Sequence, residues 1–162
     1  VKNLPPEHPA LANSISYPIT LKLIDNEFVP ALEHMKSYLK VYNKDELQKI
    51  RSKAEKINAL VTKYIQNPDD ELEEYMLTSS VFMLNDIYQL GFMQVIINLV
   101  RDGHLDLAWE FFDRAIPASY DSRKEFNIPM YKTKKIMKET INNWLTDLEY
   151  WDEIYQLNQG KK

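Results

Sequence analysis

The sequence predicts an all-α fold, a compact bundle of about five helices, from three observations. Apolar residues recur every three to four positions along most of the chain, which is the period of helices that bury one face. Asparagine caps and prolines separate these stretches. The 162 residues are 44% hydrophobic and 27% charged, so the chain can bury a core without disulfides or metals. We expect one helical domain over residues 18–160, preceded by an extended, proline-containing arm over 1–17.

The segment after the arm carries two competing patterns. One alternates apolar and polar residues as a strand does, with apolar residues at Ile15, Tyr17, Ile19, Leu21 and Leu23. The other is longer and repeats at helical spacing from Ile24 to Tyr42. We give precedence to the longer pattern and expect a helix over 18–42. It should be kinked or broken at Pro30, because proline lacks an N–H donor and crowds the preceding turn.

The next two helices have clear start signals. Asn43 and Glu46 have the spacing of a capping box, which predicts the start of the second helix. Asn67 should end it, because the residue before a proline avoids helical geometry. Asn67 then caps a third helix, with Pro68 in its first turn. This third element, about 68–101, is apolar on more than one side, so we expect it to form the centre of the bundle.

Two further helices complete the predicted bundle. Gly103 can take the left-handed conformation that ends a helix, and a fourth helix follows from Leu105 to Ile116, where Pro117 stops it. Residues 117–130 form the longest loop. A last helix is expected from Thr133 to Leu157, because apolar residues recur along it at helical spacing.

Residues 92–115 resemble a tetratricopeptide-type helical hairpin in the spacing of Phe92, Val95, Ile96, Leu99, Gly103, Ala108, Phe112 and Ala115. The chain departs from that pattern at Ile96, where the family prefers a small residue, and its closing proline is displaced. There is no second copy, and a solenoid needs about three repeats to bury a continuous core. We therefore interpret the match as antiparallel packing of two helices and assign no family. A true repeat would imply a peptide-binding concave face.

The composition argues against most enzyme and cofactor classes. The chain has no cysteine, which excludes disulfides, thiolate metal sites and cysteine nucleophiles. It has three glycines, too far apart for a phosphate-binding loop: Gly91, Gly103 and Gly160. Its three histidines are equally scattered, at His8, His34 and His104. We therefore expect no metal, no cofactor and no catalytic activity.

Asp86 supports an alternative function. It lies within an apolar run between Leu84 and Ile87, and an unpaired buried carboxylate is unfavourable. One hypothesis is a ligand-sensing or enzymatic pocket between helices, built around this carboxylate. The competing interpretation is that Asp86 faces solvent or pairs with a cation such as Arg101 or Arg114.

Charge and aromatic residues support the main hypothesis, a non-enzymatic module that binds another protein. The segment 123–138 is strongly basic and has tyrosines nearby. Its candidate partner-binding residues are Arg123, Lys124, Lys134, Lys135 and Lys138, with Tyr120 and Tyr131. Tyr150, Trp151 and Tyr155 are further candidates for outward-facing aromatic residues. The alternative for the charges is pairing within the chain, and the alternative for the aromatic residues is that they cover the rims of the helical core.

A second alternative is nucleic-acid binding through the basic segments 49–56 or 123–138. The net charge of −4 gives no overall attraction to nucleic acid, and no known reading motif accompanies these segments.

The sequence leaves the partner, the oligomeric state and the compartment open. Because the chain begins at Val1 without a methionine, we expect that an upstream piece was removed or omitted. The longest uncharged stretch, 87–100, is too short to span a bilayer. A cytoplasmic location is favoured, and export or anchoring through an upstream segment is the alternative. The abundance of lysine, asparagine, isoleucine and tyrosine is typical of AT-rich genomes, such as those of many bacteria and phages.

Overall fold

A computed structural model of the chain describes residues 20–37, 39–66, 87, 90–120, 133–148 and 150–159. The described chain is mostly helical and its helices pack compactly, which confirms the predicted fold class. Its elements in chain order are β1 (Leu21–Ile24), β2 (Glu27–Pro30), α1 (Leu32–Ser37), α2 (Lys44–Gln66), α3 (Phe92–Arg101), α4 (Leu105–Ala115), α5 (Lys134–Thr146) and α6 (Trp151–Gln159). The predicted arm over 1–17 lies outside the described residues.

The expected helix over 18–42 is wrong, because β1 and β2 form an antiparallel hairpin there and only the short α1 is helical. Asp25 and Asn26 connect the strands with φ angles of 50° and 66°. Positive φ at both central residues is what a tight type I′ hairpin turn requires, and aspartate and asparagine tolerate it. The turn residues therefore decided between two apolar patterns that periodicity alone could not separate.

The start of α2 confirms the predicted capping box. The Glu46 N–H donates to the Asn43 side-chain oxygen Oδ1 at 2.9 Å, and the Asn43 N–H donates to Glu46 Oε2 at 3.0 Å. Each side chain satisfies a backbone donor that the first helical turn leaves without an intrahelical partner. The start of this long helix is therefore encoded locally.

The α3 helix is the last part of the predicted central element, which a turn at Leu90 and Gly91 interrupts. Six of its ten residues are buried, on more than one side of the helix. Residue 87, also helical, is buried as well, whereas residues 68–86, 88 and 89 of the predicted central helix lie outside the described residues. The Phe92 ring centroid lies 5.8 Å from that of Phe111 and 6.0 Å from that of Phe112. Aromatic packing therefore joins α3 to α4.

The predicted pairing of two helices over 92–115 is confirmed: α3 and α4 are joined by a short turn at 102–104. The α2 helix runs alongside α4 in the same direction, because Arg51 contacts Glu110 and Asn58 contacts the carbonyl of Arg114. Small and β-branched side chains of α2, namely Ala54, Ile57 and Val61, are fully buried in the core. Their size allows α2 to lie close to its neighbours.

The expected single helix from Thr133 to Leu157 is wrong, because the chain turns between α5 and α6. Thr133 does cap α5, accepting from the Ile136 N–H at 3.2 Å, but Tyr150 adopts a φ of 65° just before α6. The turn lets the two helices contact different parts of the bundle. Side chains of α5 pair with α4, whereas α6 contacts α1 and α3.

The turn between α3 and α4 is where three segments of the chain meet. Gly103 has a φ of 78°, the left-handed conformation that the sequence predicts for it. A Cβ atom at this position would lie 3.1 Å from the Leu157 carbonyl oxygen and 3.1 Å from Leu39 Cδ2. On the α6 side, Asn158 Oδ1 accepts from the Leu105 N–H at 2.7 Å, and Asn158 Nδ2 donates to the Val100 carbonyl at 3.1 Å. The Asn158 side chain thus satisfies a carbonyl at the end of α3 and an N–H at the start of α4.

None of the helices in the described residues combines the length and the apolar character that a bilayer crossing requires.

We predict that Gly103→Ala destabilises the protein more than Gly91→Ala. Both glycines have positive φ, so each substitution introduces roughly 1–2 kcal/mol of backbone strain. At Gly91 the new methyl group meets chiefly the flexible end of the Lys53 side chain, whereas at Gly103 it meets a backbone carbonyl. Urea unfolding of both variants measures the difference. Equal losses of unfolding free energy would show that the contacts around Gly103 do not restrict it.

Candidate interaction surfaces

The lysines of the predicted basic patch are paired within the chain. Lys134 Nζ donates to the Asp113 carbonyl oxygen at 2.9 Å, and Lys138 Nζ donates to Asp113 Oδ2 at 2.8 Å. Lys135 is exposed and lies 3.9 Å from Glu139. The patch residues Arg123, Lys124 and Tyr131 lie outside the described residues. The described part of the patch therefore has counter-charges within the bundle, and its binding to a partner stays a prediction.

Aromatic rings of α4 also contact these lysines. Lys138 Nζ lies 5.4 Å from the Trp109 ring centroid and 5.6 Å from that of Phe112. A cation over the face of an aromatic ring is attracted by the ring quadrupole. Burial of the Asp113 carboxylate raises its pKa, but the hydrogen bond and charge of Lys138, together with Lys134, outweigh burial and leave the pKa below its usual range. These contacts hold α5 against α4.

We predict that Lys138→Met lowers the free energy of unfolding at neutral pH by less than about 1 kcal/mol, because the ion pair is partly exposed. The pKa of Asp113 is lowered in the folded protein, so its contribution is present at neutral pH and is lost as the pH falls through the acidic range. The variant should therefore lose less stability than the wild type on acidification. Urea unfolding at pH 7 and pH 4 tests this, with Lys135→Met as the matched control. An unchanged acid dependence in Lys138→Met would contradict it.

Tyr120 is buried, with 5% of its surface exposed, so the expectation that its ring faces outward is wrong. Its N–H donates to the Pro117 carbonyl at 3.0 Å, and its carbonyl accepts from the Lys134 N–H at 3.3 Å. The ring belongs to the hydrophobic core, and the backbone joins the end of α4 to the start of α5. Of the other candidates, Tyr155 is 43% exposed and contacts Trp151, whereas Tyr150 is partly buried.

The two alternative sites receive no test from the structure. Asp86 lies outside the described residues, so the pocket hypothesis stays a prediction. In the basic segment 49–56, Arg51 Nε lies 3.4 Å from Glu110 Oε1, and Arg114 Nε donates to the same oxygen at 2.9 Å. Lys49 and Lys56 are exposed. Nucleic-acid binding through this segment also stays a prediction.

A polar cluster at the turn between α3 and α4 escaped the sequence analysis. Asp102, 8% exposed, is the one buried charged side chain among the described residues. Tyr42 Oη donates to Asp102 Oδ2 at 2.7 Å, and Arg101 Nε donates to Asp102 Oδ1 at 3.0 Å. Both carboxylate oxygens therefore have partners within the chain. The position of Asp102 between a helix end and a glycine was a sequence signal for this cluster. Its partner Tyr42 is 60 residues away, so no local pattern pairs the two residues.

The same cluster holds the segment between α1 and α2. His104 Nε2 lies 2.6 Å from the Lys40 carbonyl oxygen, which can only accept, so this nitrogen carries the proton. The His104 and Tyr42 rings meet edge to face, with centroids 4.9 Å apart. Partial burial and the hydrogen bond to Asp102 both raise the pKa of Tyr42 above its ordinary value of 10.0. These contacts join the segment between α1 and α2 to the turn between α3 and α4.

We predict that Tyr42→Phe destabilises the protein by about 1–3 kcal/mol, because the variant leaves one oxygen of a buried carboxylate without its donor. The pKa of Tyr42 is raised in the folded state, so its contribution is present below pH 10 and declines as the pH rises further. The wild type should therefore lose stability above pH 10 more steeply than the variant. Chemical denaturation between pH 8 and 11 measures both effects. Parallel curves would contradict the Tyr42–Asp102 hydrogen bond.

The hairpin presents an exposed apolar face. The register pairs Leu21 with Pro30 and Leu23 with Phe28, which places these four residues on the same face. Leu21 is 38%, Leu23 59% and Phe28 67% exposed. Isolated exposed apolar residues are common, but a contiguous apolar face is typical of a binding surface. We call this set of Leu21, Leu23, Phe28 and Pro30 the hairpin face.

No protein-family model, curated protein or solved structure matches the chain. Within the residues that the structure describes, there is also no cluster of three or more side chains suited to holding a metal ion.

Proposed function

We propose that this protein is a protein-interaction module that binds its partner through the hairpin face. The observation that carries the proposal is the exposure of Leu23 and Phe28, directly opposite each other on neighbouring strands. Burying such side chains against a partner gains roughly 25 cal/mol per Å² of apolar surface removed from water. The hairpin face therefore supplies a driving force for association that the helical core does not use.

The hairpin face supports the proposal better than the basic patch does. Lys134 and Lys138 of the patch already have Asp113 and aromatic rings as partners, so binding an acidic protein would compete with these contacts. The apolar side chains of β1, by contrast, are exposed along the whole strand. A hairpin of two strands is also marginally stable in water, so a third element that covers its apolar face would stabilise it.

We predict that Leu23→Ser combined with Phe28→Ser abolishes partner binding without unfolding the bundle. Both side chains are exposed, so their loss should change the free energy of unfolding by no more than about 0.5 kcal/mol. Val41→Ser is the matched control, because Val41 is 84% exposed and lies outside the hairpin. Binding is measured with a partner identified by crosslinking, and folding by thermal denaturation followed by circular dichroism.

The partner is identified by placing a photoreactive phenylalanine analogue at Phe28 and, in a parallel protein, at Val41. The position 28 protein should give discrete crosslinked products in cell extract, which mass spectrometry identifies, and the position 41 protein should not. Titration of the purified partner then compares the wild type with both serine variants. Identical products from the two positions, or equal affinity for the hairpin variant, would refute binding through the hairpin face.

A further inference from the structure

The two edges of the hairpin differ in the backbone groups that they offer. The Ala31 N–H donates to the Thr20 carbonyl at 2.8 Å, which identifies Thr20 and Ala31 as a hydrogen-bonded pair. Hydrogen-bonded and non-hydrogen-bonded pairs alternate along an antiparallel ladder. With the observed register, the N–H and carbonyl groups of Leu21 and Leu23 therefore point away from β2, and those of Phe28 point away from β1.

Only the edge of β1 has complete pairing groups at both outward positions. On β2 the second outward position is Pro30, which has no N–H to donate. On β1, Leu21 and Leu23 each offer one donor and one acceptor, and both side chains belong to the hairpin face. A strand added at this edge would gain backbone hydrogen bonds and would extend the apolar face at the same time.

The size of the hairpin face favours a single strand over a second globular surface. The three exposed side chains together present on the order of 300 Å² of apolar surface, whereas a standard protein interface buries about 800 Å² on each partner. A second copy of β1 would also bring a second Lys22 to the same edge, where like charges on neighbouring strands repel. Lys22 lies between Leu21 and Leu23 on the opposite face of the strand, so it favours an acidic residue beside it.

We infer that the edge of β1 receives an extended segment of a partner protein, in which two apolar residues flank an acidic one. The segment forms a third strand of the sheet. Its apolar residues extend the hairpin face, and its carboxylate lies beside Lys22. This inference rests on the proposed function and specifies the chemistry of the partner.

The test uses a fluorescein-labelled synthetic peptide with a Thr-Val-Glu-Val-Thr core and a second peptide with lysine in place of glutamate. Fluorescence anisotropy measures the binding of each peptide to the full chain. The wild type should bind the glutamate peptide at least tenfold more tightly than the lysine peptide. Lys22→Glu should reverse this preference, because it reverses the charge at the edge.

A pair of variants isolates the backbone contribution. Leu23→Ala and Leu23→Pro both shorten the side chain, but only the proline removes the outward N–H. Leu23→Pro should therefore bind the glutamate peptide at least tenfold more weakly than Leu23→Ala. Nuclear Overhauser contacts between Lys22 and Val29 establish whether the hairpin persists in each variant. If Leu23→Pro loses the Lys22–Val29 contacts, the peptide preference of Lys22→Glu decides whether a strand is added at β1.

Three binding results, besides the dimer result given below, would overturn strand addition at β1. They are no binding of the glutamate peptide by the wild type, an unchanged preference in Lys22→Glu, and equal affinity of Leu23→Pro and Leu23→Ala in intact hairpins. Sedimentation showing a dimer that Leu23→Pro disrupts would also overturn it, in favour of a second copy of the chain. Crosslinking from position 28 separates the two proposals. Products at that position without peptide binding would leave the proposed function standing and remove only this mode of recognition.

Discussion

The bundle depends on the turn between α3 and α4, where Gly103 leaves room for two other segments to approach. The left-handed backbone and the missing Cβ let Leu39 and the end of α6 lie against the turn. Asp102 then binds Tyr42 from one side, and Asn158 binds the Val100 carbonyl and the Leu105 N–H from another. Segments more than 50 residues apart in sequence therefore meet within residues 100–105, so a change at this turn affects how the ends of the bundle pack.

Several polar contacts of the described residues join helices. Asp113 brings Lys134 and Lys138 of α5 onto α4, and Glu110 receives both Arg51 of α2 and Arg114. Charge that looks available for a partner in the sequence is thus partly neutralised within the fold. The hairpin differs, since it exposes apolar side chains and a backbone edge with which no other described strand pairs. For this reason the proposed partner-binding surface lies on the one non-helical element among the described residues.

Local signals predicted the described helices well where a few adjacent residues decide the outcome. The capping box of Asn43 and Glu46 and the left-handed Gly103 both function as expected. Predictions were wrong where two local patterns were equally compatible with the sequence. The apolar residues near Leu23 fit both a strand and a helix, and positive φ at Asp25 and Asn26 settled the choice. Burial of Tyr120 and pairing of Lys138 depend on side chains from distant segments, which no local pattern contains.

By itself, the sequence determined the helical class, the start of α2, the end of α3 just before Gly103 and the absence of cysteine chemistry. These properties depend on residue type, on the helical period and on contacts between near neighbours. Only the tertiary structure decided that Asp102 pairs with Tyr42, that the basic α5 faces Asp113, and that the hairpin face is exposed. The physical reason is that burial and charge pairing depend on which surfaces meet, and this is set by the packing of the whole chain.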